Sequence, residues 1–417
     1  MSNFSYERIR QARKDHELIT LLDEYFQHRR QFQFDGQGNI TSFVYSKSEG
    51  NYHIELVLDK QGRIVKIVPR EHLSDQEASQ LEVLIKDTLL DDTVMKVGRT
   101  ICFLSGVQLE RYFRCKDFQI LPVPDHAPKS LQNCPFLLEF SYPASSHWIV
   151  NGIRRQATEQ KYLMLLGLFL TTQIQQNPPL SPYRWTMDRE SKVEERCYGY
   201  TYAAYDTVSD AFSDTTPYQA ADLIPHQLYY GTMLAALTVW SAANLELQIP
   251  ASLCASFEKV GRLSDIDYEK FMRACYYFHQ AQQLWSSSLS FSLIALVTAI
   301  ECLAGKNKEK CKTCGQDIVA SSERCIICDQ PQFQVTNHFK KFVETQYPAM
   351  TQFPEAMGLL YKTRSNLVHG SEILLKDSQP WLSFMNNTKA LQQYDVHGQA
   401  YLITKIVLLN WLHSRSV

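Results

Sequence analysis

The chain has 417 residues, of which 45% are hydrophobic, 21% charged and 12% aromatic, and its formal net charge is -2. This is the composition of a globular protein large enough for two or three domains. It excludes a disordered chain and a molecule that binds nucleic acid through a global basic field, so any such contact must come from a local patch.

In chain order, residues 5–32 place Ile9, Leu18, Leu21, Leu22, Tyr25 and Phe26 at helical spacing. The period then changes to alternation. Asn39–Tyr45, Tyr52–Leu58 and Ile64–Val68, separated by the turn sequences Ser48–Asn51 and Asp59–Gly62, predict a three-stranded meander. Ser74 and Glu77 form a capping-box signature that opens a helix reaching about Leu90. Further strands are expected over 97–150 and a helix over 154–176, broken by Asn177–Pro182. Tyr183–Met187 and Tyr198–Tyr205 read as strands, and 226–245 as a buried helix. From Ser264, an N-cap signal with Asp267, the pattern becomes helical: Tyr268–Leu284, Ser287–Ala304, Val335–Gln346, Glu355–Gly370 and Gln399–His413. The expected fold class is therefore α+β. A mixed α/β region spans 1–250, and an all-α bundle spans 251–417 with an insert at 306–332.

The most apolar runs, Tyr162–Leu170 and Tyr230–Trp240, are too short to span a bilayer, and the N-terminus has no signal-peptide core. A cytoplasmic, non-membrane protein is expected. Of the eleven cysteines, Cys102, Cys115, Cys134, Cys197, Cys254, Cys275 and Cys302 are scattered and read as free thiols. The other four form two knuckles, Cys311-x-x-Cys314 and Cys325-x-x-Cys328. Four thiolates saturate a tetrahedral zinc, which implies one structural Zn2+ per chain and no catalytic metal. Lys306, Lys308, Lys310 and Lys312 cluster at the first knuckle, where they are expected to balance the thiolate charge, with contact to RNA phosphate as the alternative.

The candidate chemistry lies further on. Arg364, Asn366 and His369 fall within one predicted helix that closes on Gly370. Arginine offers a planar fork suited to phosphate, and histidine moves a proton near neutral pH. Five helical residues rotate about 140°, so Arg364 and His369 do not stack on one face. Leu360, Arg364 and Val368 share an i, i+4 ridge, which sets an arginine in an apolar strip and suits an interface.

The order of these segments resembles the HEPN superfamily, most closely its Apea-like branch. The apolar helix Phe291–Leu303 carrying Glu301 precedes the insert, the segment Val335–Phe342 follows, and Leu359–Gly370 closes the series with its Arg-x4-His motif. The likeness covers about 264–417. It implies a metal-independent endoribonuclease, acting as a homodimer with motifs from two subunits facing one cleft, and a role as a toxin or antiphage effector. Carried onto this chain, Arg364 stabilises phosphorane charge, and His369 is the acid/base or positions the 2′-hydroxyl. Asn366 orients them, and Glu301 fills the acidic position of the preceding helix. Two other readings remain open: a non-catalytic module that binds RNA, nucleotide or a partner, and a zinc-ribbon DNA-binding regulator.

Overall fold

A computed structural model of the chain describes residues 15–48, 51–60, 62, 64–70, 73–90, 94–105, 107–123, 133–170, 172–175, 223–224, 245–285, 287–304, 313–315, 325, 327–329, 335–352, 354–379 and 387–415. It is a mixed α+β protein with a C-terminal helical region. Two compact units interleave along the chain, whereas the sequence reading drew one boundary near residue 250. The first takes Met1–Gly98 with Phe140–Gln160, the second Arg99–Glu139 with Lys161–Val417. The expected strands at Tyr183–Met187 and Tyr198–Tyr205 lie outside the described residues, as do most of 226–245 and Cys197.

In the first unit, helix α1 (Asp15–Tyr25) precedes an antiparallel sheet of β1 (Arg30–Phe34), β2 (Ile40–Ser48), β3 (Asn51–Leu58) and β4 (Ile64–Pro69), in that order. The meander therefore has four strands. The extra one replaces the end of the expected helix, because the chain leaves α1 through Gln27 and His28, both at positive φ (54° and 61°). Neither is a glycine, so composition gives no warning of the break. Leu18, Leu21 and Leu22 of α1 meet Tyr45, Ile54 and Leu56 of the sheet in one core. Helix α2 (Asp75–Ile85) adds Leu81 and Ile85 to that core. It opens on Ser74, whose side chain accepts from the Glu77 amide while Glu77 reaches back to the Ser74 amide.

A second sheet is ordered β10-β5-β9-β8-β7: β5 (Met95–Ser105), β7 (Phe113–Arg114), β8 (Phe118–Pro122), β9 (Asn133–Pro143) and β10 (Ile174–Gln175), with the short β6 (Val107–Gln108) between β5 and β7 in sequence. Glu139 is fully buried there and bonded to Arg99 and Gln119, so the charge is paired rather than stranded. Helix α3 (Trp148–Phe169) follows β9. Two short parallel pairings join β11 (Leu223–Ile224) to β13 (Ile249–Pro250) and β12 (Leu245–Glu246) to β6.

The helical region contains α4 (Leu253–Arg262), α5 (Asp265–Leu284), α6 (Leu289–Ala304), α7 (Val335–Gln346), α8 (Pro354–Val368), α9 (Leu375–Ser378) and α10 (Thr388–Ser414). Helix α4 was not expected. Ser264 caps α5 by accepting from the Asp267 amide. The centre is α6, whose Leu293, Leu296, Val297 and Ile300 are all fully buried. Its start is capped from far along the chain: Asp377 accepts from the Leu289 and Ser290 amides (2.8 Å each) and the Ser288 hydroxyl (2.9 Å). Burial pushes the Asp377 carboxyl up, but these bonds outweigh it and hold the group below its ordinary value. Trp411 of α10 stacks on Phe271 of α5 at 5.7 Å.

One cysteine expectation is corrected. Cys115 and Cys254, read as free thiols, are joined as a disulfide, with Cα atoms 5.6 Å apart across a separation of 139 residues. The fold brings the residue after β7 against the first turn of α4, which no local pattern announces. Cys102, Cys134 and Cys275 are buried thiols outside any disulfide, and Cys302 is a half-buried one. Among the described residues no helix is long and apolar enough to cross a membrane.

Candidate functional site

Helix α8 ends where the sequence places a stop. Gly370 has φ +70°, the Ser371 amide donates to Asn366 O (3.0 Å), and the Gly370 amide donates to Leu367 O (3.2 Å). This is a Schellman closure, which needs a residue free to enter the left-handed region just past the helix. It leaves His369 at the C-cap position, exposed to solvent, its amide still donating to Ser365 O (3.0 Å).

Arg364 lies one turn earlier. Its Nη2 donates to Glu301 Oε2 on α6 at 2.8 Å, with the two side chains 22% and 25% exposed. Its guanidinium carbon lies 5.9 Å from the Tyr361 ring centre. Its Nε is buried with no hydrogen-bond partner. Burial pushes the Glu301 carboxyl up, and the Arg364 charge and hydrogen bond pull it part of the way back. The expected apolar ridge is uneven: Leu360 is buried, whereas Val368 is 47% exposed.

Of the four residues singled out in advance, the fold thus joins Arg364 to Glu301 across 63 positions of sequence. Asn366 turns elsewhere, donating through Nδ2 to Glu372 Oε2 at 3.2 Å. Glu372 was not foreseen; it lies two residues past Gly370, where no periodicity marks it. The His369 side chain makes no hydrogen bond among the described residues, so within one chain Arg364 and His369 are not bonded to each other. The arrangement offers an arginine fork held by a carboxylate, and a solvent-facing imidazole one turn along.

The second cluster is metal-binding in character. The sulfurs of Cys314, Cys325 and Cys328 all lie within 4.8 Å of one another, and those of Cys314 and Cys325 are 3.5 Å apart. Tetrahedral thiolates at ~2.3 Å from one metal would sit about 3.8 Å apart, so three ligands are already grouped to hold an ion. Cys311 lies outside the described residues. Backbone amides of Cys328 and Ile327 point at Cys325 and hold its thiol below the usual range, as a metal ligand requires.

Each knuckle turns sharply just after its second cysteine: Gly315 has φ +72° and Asp329 has φ +53°. An aspartate tolerates that region at a cost of about 1 kcal/mol or less, and a β-branched residue does not. Asp329→Gly should leave the melting temperature of the metal-loaded protein unchanged or slightly raised. Asp329→Val should lower both the melting temperature and metal retention, read by thermal melts and elemental analysis.

No protein-family model matches the chain, and neither does any curated protein or solved structure with which it was compared.

Proposed function

We propose that the chain is a HEPN-type endoribonuclease of the Apea-like kind, cutting RNA without a catalytic metal, as a toxin or antiphage effector. The observation that carries the reading is the Arg364–Glu301 pair. The resemblance assigned these two residues to one site, and they meet across two helices at the end of the bundle where His369 is exposed. In the proposed reaction the 2′-hydroxyl of a ribose attacks the adjacent phosphorus and the 5′-oxygen leaves. His369 handles the proton, and Arg364 stabilises the charge gathering on the phosphoryl oxygens. The products are a 2′,3′-cyclic phosphate and a 5′-hydroxyl. The test is cleavage of single-stranded RNA in excess EDTA, with a second substrate carrying one 2′-deoxynucleotide at the cut position. Cleavage should survive brief chelation and vanish at the deoxy position; cleavage at the deoxy position would overturn the mechanism.

The insert, on this reading, holds one structural zinc through Cys311, Cys314, Cys325 and Cys328. The working form is a homodimer through the helical region. Val368 and Ile373, which bracket His369 in sequence, are 47% and 62% exposed, and Phe291 of α6 is 63% exposed. Apolar side chains so placed beside a polar site suit a two-fold contact. Light scattering at micromolar concentration should give twice the chain mass, and Phe291→Glu should halve it. A fully active monomer would sink the composite site.

One observation favours the second reading, a non-catalytic RNA- or partner-binding module. Arg364 is already engaged by Glu301, and no hydrogen bond among the described residues aims His369 at it. That reading predicts RNA binding with no cleavage by the dimer.

A further inference from the structure

The Arg364 guanidinium has three polar nitrogens, and their surroundings differ. Nε is buried and makes no hydrogen bond among the described residues, so solvent does not reach it. An anion therefore reaches the group through Nη1 and Nη2, and Nη2 is held by Glu301. Carboxylate and phosphate oxygens use the same fork of donors in the same geometry. Glu301 is thus a chemical stand-in for a phosphate, built into α6, the most deeply packed helix of the bundle. A second carboxylate, Glu372, occupies the amide of Asn366 in the same way. Of the motif's three polar side chains, Arg364 and Asn366 are engaged by acidic side chains of the chain itself, while His369 is left facing solvent.

We propose that Glu301 is an autoinhibitory latch on Arg364: its carboxylate occupies the face of the guanidinium that a substrate phosphate needs, so RNA engages the motif by displacing it. This inference rests on the ribonuclease reading and adds the regulation of that site. The partial burial of the pair makes the latch effective, because less water screens the attraction and an incoming phosphate competes with a formed ion pair rather than a hydrated guanidinium. The latch is also reversible. Glu301 is carried by a rigid helix, whereas Arg364 has a long side chain that can leave it without disturbing the backbone.

The glutamine variant separates this role from simple positioning, because an amide oxygen still accepts the Nη2 hydrogen bond but carries no charge. Binding is measured with the full-length protein and a 2′-O-methyl oligoribonucleotide, which keeps every phosphate and lacks the nucleophile. Glu301→Gln should bind about 10-fold tighter than wild type, the scale of one charge-assisted bond no longer contested. Glu301→Asp, one methylene shorter, should fall between the two, which keeps the test open if the amide variant folds poorly. Equal or weaker binding by Glu301→Gln would overturn the latch and make Glu301 a positioning residue. If wild type cuts RNA while the glutamine variant binds no better, only the latch fails. If neither protein binds the oligonucleotide, the ribonuclease reading falls and takes the latch with it.

Discussion

Arg364→Ala and His369→Ala should each abolish detectable RNA cleavage while leaving the fold and metal content intact. Loss of a preorganised charge donor typically costs ~10²–10³ in rate, and loss of an acid/base group ~10²–10⁴. The structural cost of either change is small. His369 is exposed at a C-cap whose closure depends on Gly370, Asn366 and Leu367 backbone groups, none of which the substitution touches. Removing Arg364 leaves Glu301 without its partner, but the Glu301 side chain keeps partial contact with solvent, which limits the cost. Arg364→Lys should also fail. A single ammonium cannot replace the planar fork, and it would leave the half-exposed pair with Glu301 as a point contact. The measurements are single-turnover cleavage, circular dichroism and elemental analysis on the same preparations. If His369→Ala cuts at the wild-type rate, the motif is not the active site and the binding-module reading takes its place.

What the sequence could reveal followed the range of the interactions concerned. The capping residues Ser74 and Ser264 and the helix stop at Gly370 were legible because each acts within a few residues of where it stands. The knuckles were legible for the same reason, since a left-handed residue after the second cysteine closes each turn locally. Strand β1 was not, because the break after α1 falls on Gln27 and His28 rather than on a glycine or proline. The cap of α6 by Asp377 and the bridge between Cys115 and Cys254 join positions far apart in sequence. No periodicity encodes such pairings; only the packed chain brings them together. Glu301 and Arg364 belong to the same long-range class. Arg364 was singled out by its spacing from His369 and Glu301 only through a family resemblance, so no local pattern linked the two.

Purified wild-type protein should contain one zinc per chain, and Cys328→Ser should lose it. Three cysteine sulfurs already lie within 4.8 Å of one another. Backbone amides hold the Cys325 thiol below its ordinary value, and thiolates grouped at that range repel one another unless a cation lies between them. Sulfur-only coordination selects zinc or iron among common divalent ions, and elemental analysis separates the two. Cys311→Ser tests the fourth ligand directly: equal loss of metal makes it the partner of the other three, and full retention rejects it. Apparent zinc affinities in small thiolate domains run to ~10–16 kcal/mol of coupled folding energy. Here the insert is a local element, so most of that energy orders the knuckles themselves, and the whole protein should melt only a few degrees lower in Cys328→Ser. In the proposed four-thiolate site no coordination position would remain for water, so the metal would serve structure alone. RNA cleavage should therefore persist through brief chelation and decline only as the insert unravels. Activity lost at once on chelation, and restored at once by zinc, would make the ion part of the chemistry and reverse that assignment.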